Sequence, residues 1–156
     1  MKVLVATVRA RLGARWIAAM VAVAVVLVAS AGCGDLSREE LSRGVESLSA
    51  LAAQGGLIAN GVARDATKST YTRVMAKTLG GEAEHEAEKL ADAEPSPEVK
   101  RERNAAVQVA GEIAELFSQL QTFPGDEHHG LFVQRHMREA KEQADAIVAR
   151  LTGEAP

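Results

Sequence analysis

Two short runs place carboxylates and histidines at ligand-like spacing. Glu82-Ala83-Glu84-His85 sets Glu and His three apart, and Asp126-Glu127-His128-His129 sets Asp and His three apart. Residues i and i+3 share a helix face, so each pair could offer two donors to one ion. His129 and His136 are also on one face. Two turns separate them, about 10.5 Å along the axis, too far for a common ion. The surroundings weigh against a metal. His85 sits in the charged run Glu82 to Glu88, which reads as a solvated face, and Asp126 to His129 follows the turn-like Phe123-Pro124-Gly125. Glu46 and Glu112 adjoin apolar stripes without lying in them. Surface positions are therefore predicted for the histidines, with His136, beside Phe132 and Ala140, at a core boundary. Glu82, His85, His128 and His129 are the weak metal candidates, and no cofactor is expected.

The Glu-x-x-His spacing is similar to that of ferritin-like di-metal carboxylate bundles, which use two such units plus a Glu from each of two other helices, all pointing inward. Here the likeness is one of spacing only and carries no ligand set over. Other chemistry has no motif to support it. There is no Gly-x-Ser-x-Gly and no glycine-rich phosphate loop after a strand. Gly55-Gly56 and Gly80-Gly81 fall inside helical patterns, where they permit close helix approach or a cavity for a ligand. Lys100-Arg101-Glu102-Arg103 is a short basic cluster, read as a solvated face rather than a contact site. The chain is not expected to be an enzyme.

The one cysteine stands at an informative place. MKVLVATVRARLGAR is a basic leader, WIAAMVAVAVVLVAS an apolar stretch of 15 residues, and AGC a small-residue end. That order is a secretory signal. Its apolar stretch is short of the roughly 20 residues of a membrane span. Arg9 and Arg11 are separated by Ala10, so it is not a twin-arginine signal. Ala29-Ser30-Ala31-Gly32-Cys33 resembles the lipobox of bacterial lipoprotein precursors. Ser30 departs from it, standing where Leu is commonest. The resemblance implies cleavage between Gly32 and Cys33, a diacylglyceryl group on the Cys33 sulfur, and palmitate-type acyl chains as the membrane anchor. It implies an extracytoplasmic location, on the outer leaflet of the cell membrane or on an outer membrane.

Removal of the first 32 of 156 residues leaves 124, enough for one domain. All 21 acidic residues follow residue 32, against 14 of the 18 basic ones, so this part has a net charge of −7. An acidic surface does not favour nucleic acid or anionic headgroups. Membrane attachment is assigned to the lipid on Cys33, with an envelope protein as a further possible partner. After residue 32 there are 9 Arg against 5 Lys, and the helices are rich in Ala, Arg and Glu. On these features the chain resembles small uncharacterised helical lipoproteins of high-GC bacteria, a resemblance that carries no functional residues.

Four helical patterns must position whatever this domain does. Leu36-Ser37-Arg38-Glu39-Glu40-Leu41 is a capping box with a hydrophobic staple. An inward stripe then runs through residues 41, 45, 48, 52, 55, 59 and 62. A second helix is predicted over 68–93, with Tyr71, Met75, Leu79, Ala83, Ala87 and Leu90 inward and Gly80-Gly81 as a kink point. Whether it fuses with the first across Asp65 is left open. A third is predicted from 97 to about 121, capped by Ser96 with Pro97 at its first position. Its seam is Val99, Ala106, Ala110, Ile113, Phe117 and Leu120. The fourth is predicted over 127–152, with Val133, Met137, Ala140, Ala144, Ile147 and Leu151 inward.

The expected architecture is all-α: an up-down-up-down four-helix bundle over 37–152, preceded by a signal-peptide helix over 1–32 and a tether over 33–36, and followed by a tail over 153–156. The expected role is a non-catalytic binding or structural module at the cell envelope. The alternative is a metal-binding or small-ligand-binding bundle, a carrier or sensor.

Overall fold

The computed structural model describes residues 35–154. The predicted signal helix, Gly32 and Cys33 lie outside them. The described residues form an all-α four-helix bundle of α1 (Arg38–Ala63), α2 (Ser69–Asp92), α3 (Lys100–Thr122) and α4 (Glu127–Thr152). None of these helices is long and apolar enough to cross a membrane.

Local chemistry sets the helix ends. At the start of α1, Ser37 Oγ accepts from the Glu40 amide and Glu40 Oε2 accepts from the Ser37 amide at 3.0 Å. The reciprocal bonds hold the Glu40 carboxyl below its usual pKa, the Ser37 side-chain bond contributing most. At the other end of α1, the amide of Ala66 donates to Gly61 O and that of Asp65 to Val62 O. This is a Schellman closure with Asp65 in the left-handed position, φ 50°. It separates α1 from α2 and resolves the question of fusion across Asp65. Gly153 closes α4 with φ 79°, and the Glu154 amide reaches back to Ala149 O.

The helices pack unequally. α1 pairs most extensively with α4, and α2 with α3. One diagonal, α1 to α3, is closed, whereas α2 and α4 do not meet among the described residues. The closed diagonal has a physical cause. A Cβ at Gly80 of α2 would stand 3.1 Å from Phe117 Cβ, and one at Gly55 of α1 would stand 3.0 Å from Phe117 Cζ. The Phe117 side chain thus spans the bundle between two glycines, and it is fully buried.

The predicted seams of α1, α3 and α4 are buried throughout. Two expectations need correction. Tyr71 is 54% exposed, and Met75 and Ala87 are only half-buried. The inward face near the start of α2 uses Thr72 and Ala76 instead. Small residues are required there because α3 comes close, with Gln121 Nε2 donating to Ala76 O. The helix α3 begins at Lys100, not Pro97, and Ser96 does not cap it. Residues 94–96 are extended beside the chain entry: the Leu36 amide donates to Glu94 O at 2.7 Å and Leu36 bridges Pro95. A tight turn from Ser96 O to the Val99 amide then drops Val99 into the core.

Candidate functional site

The metal candidates are scattered. Glu82 and His85 are exposed on α2. His128 is exposed at the start of α4. Among the described residues, no three His, Cys, Asp or Glu side chains converge as metal ligands.

The Asp126 to His129 spacing has a structural use. Asp126 is the N-cap of α4, and its carboxylate accepts from the His129 amide at 2.9 Å. His129 Nδ1 lies 3.2 Å from the same oxygen, and its ring stacks on Phe123 at 4.0 Å. The backbone bond from His129, more than any other group, holds the Asp126 carboxyl below its usual value. A charged acceptor at a helix start is favoured by the unpaired amides there. The run is therefore a cap with an aromatic lid.

The basic cluster is also partly structural. Arg103 Nη2 donates to Ala91 O at 2.8 Å and to Ala93 O at 3.1 Å. It satisfies carbonyls at the end of α2, which lack helical partners. Around it, Arg38 pairs loosely with Glu98 and Arg150 with Glu102.

Gly55 and Gly80 do not open onto free space. Phe117 and Met137 occupy the space at Gly55, and Phe117 that at Gly80. Gly56 borders a shallow trough of about 200 Å³ between α1 and α4. The Gly80-Gly81 point leaves α2 a continuous helix.

The larger opening lies between α3 and α4, with a volume of about 380 Å³. A Cβ at Gly111 would meet nothing within 4 Å, so this residue leaves one wall open. Leu116 and Phe132 supply apolar surface, and Phe132 is 40% exposed. Glu112, Glu115 and Glu139 border the groove together with His136. The His136 ring packs tilted on Phe132 at 4.1 Å, and Nδ1 lies 2.9 Å from Glu139 Oε2. Half-buried, His136 is the boundary histidine that its flanks predict. Sequence reasoning missed Gly111 as a site residue. The available signal was a glycine within the otherwise well-patterned Val109-Ala110-Gly111-Glu112-Ile113.

Comparison of the chain with protein families, with curated proteins and with solved structures finds no match.

Proposed function

We propose that the protein is a lipid-anchored, extracytoplasmic helical module that binds a partner or ligand at the cell envelope and has no catalysis of its own. The observation that carries this reading is the polarity of the bundle. Its chain entry is held at one end by the Leu36–Glu94 bond, three residues after Cys33. Among the described residues, the exposed large apolar side chains Leu57, Tyr71, Val74, Phe123, Leu131 and Phe132 all belong to the opposite half. Three residue steps span at most about 11 Å. A lipid on Cys33 would keep the entry end close to the membrane and turn the apolar half away from it. Two or three acyl chains suffice for stable attachment, at about 0.8 kcal/mol per buried methylene.

Alkyne-palmitate labelling of growing cells tests the anchor. The wild-type chain is expected in the membrane fraction with label, and Cys33→Ser is expected unlabelled and unprocessed. Label on Cys33→Ser, or an unlabelled soluble wild type, overturns the anchor. Crosslinking in intact cells from Leu131, compared with Glu88 near the entry end, tests the binding role.

The α3–α4 groove favours a second reading, a small-ligand carrier or sensor. Its volume falls in the range of small-molecule sites, about 300–1,000 Å³.

A further inference from the structure

The groove between α3 and α4 has a chemical sign. Its lining contains three carboxylates, Glu112, Glu115 and Glu139, and no lysine or arginine. The one basic group present, His136, lies against Glu139. Glu112 accepts a weak bond from the Gln108 amide group at 3.2 Å, which brings no charge. The lining also has apolar surface, from Leu116 and the partly exposed Phe132, and a Cβ at Gly111 would enter open space.

We propose that this groove binds a small amphiphilic cation: a protonated amine or quaternary ammonium carried on an apolar body. The proposal rests on the ligand-carrier reading and names the class of ligand. The charged head would sit among the carboxylates and against the face of Phe132, where the ring quadrupole also attracts a cation. The apolar body would cover Leu116 and fill the space left at Gly111. Neutral ligands would gain the apolar part only, and anions would be repelled by the rim.

The test uses the full chain in non-ionic detergent, with a detergent blank. Three probes share an indole body: tryptamine, a cation at neutral pH; tryptophol, neutral; and indole-3-propionate, an anion. Binding is read by equilibrium dialysis and by the shift of the His136 ring resonances. Tryptamine is expected to bind about ten-fold more tightly than tryptophol, with indole-3-propionate weakest. Gly111→Leu fills an open space and is expected to abolish binding. The paired change Glu112→Gln with Glu115→Gln is expected to weaken tryptamine about ten-fold without affecting tryptophol. Circular dichroism checks that each variant keeps its helices, and the glutamine pair decides if Gly111→Leu does not fold.

Equal binding of the three probes, each sensitive to the Gly111 change, overturns the cation class but leaves the ligand-carrier reading standing. Binding of none overturns both. Tryptamine binding unaffected in both variants places the ligand elsewhere and overturns the proposal.

Discussion

Gly130 of α4 lies directly on the backbone of Ala63 at the end of α1: a Cβ on the glycine would stand 2.6 Å from the Ala63 nitrogen. Ala59 O would be 3.0 Å away. Backbone cannot step aside as a side-chain tip can. Gly130→Ala is therefore expected to destabilise the bundle by about 1–3 kcal/mol through overpacking. Gly55→Ala also meets atoms inside 3.0 Å, but these are the thioether end of Met137. That flexible group can turn away, so the cost should be smaller. Urea denaturation of the two variants checks the order. Equal costs would mean that α1 and α4 can separate freely.

The opposite outcome is expected where the glycine packs against nothing. A Cβ at Gly81 or at Gly111 meets no atom within 4 Å, and both positions are helical. Gly81→Ala and Gly111→Ala should each stabilise the bundle by up to about 1 kcal/mol, the helix-propensity difference. A fall in denaturation midpoint for Gly81→Ala would show that α2 needs flexibility there.

Asp65 holds a left-handed conformation that favours glycine, with φ 50°. Its exchange for Gly relieves that strain while retaining the Schellman bonds, and should raise stability by about 0.5–1 kcal/mol. Asp65→Val should lower stability, because a β-branched side chain resists positive φ. Thermal melts of both variants test the pair of signs.

Asp145 ties α4 to α1 and responds to acid. It accepts from Lys141 Nζ on its own helix and from Ser49 Oγ on α1 at 2.6 Å. These bonds, Lys141 first, hold its carboxyl below the ordinary aspartate value of 3.8. A depressed folded pKa stabilises the protein above the unfolded pKa, and that stabilisation is lost as pH falls through the folded one. The contribution is thus full at neutral pH and fades below about pH 4. The carboxylate is half exposed, so solvent screening keeps the effect below about 1 kcal/mol. Ser49→Ala should lessen the acid sensitivity, read as the difference in urea midpoint between pH 7 and pH 3.

The seams of α1, α3 and α4 were legible because each has large apolar residues recurring on one face, as at Val133, Met137 and Ile147. The end of α2 near Tyr71 was misread for a related reason. Residues 71, 75 and 79 and residues 72, 76 and 79 both keep helical spacing, and hydrophobicity alone prefers the tyrosine. Packing prefers Thr72 and Ala76 because α3 leaves little room. The start of α3 was misplaced because Ser96-Pro97 has good capping chemistry, yet Glu94 is already engaged by Leu36 from far away in sequence. The groove at Gly111 was invisible for another reason. It depends on which residue of α4 stands opposite a missing side chain, and that register is a property of packed helices.

The pairing of first helix with last has a consequence for the birth of the molecule. A chain synthesised from its N-terminus delivers α1 early, whereas α4, its most extensive partner, arrives last. The α2–α3 hairpin closes over a short connection and can assemble as it emerges. Until α4 follows, the face of α1 that it packs against stays uncovered, an interval in which an emerging chain is prone to aggregate or to be held by a chaperone.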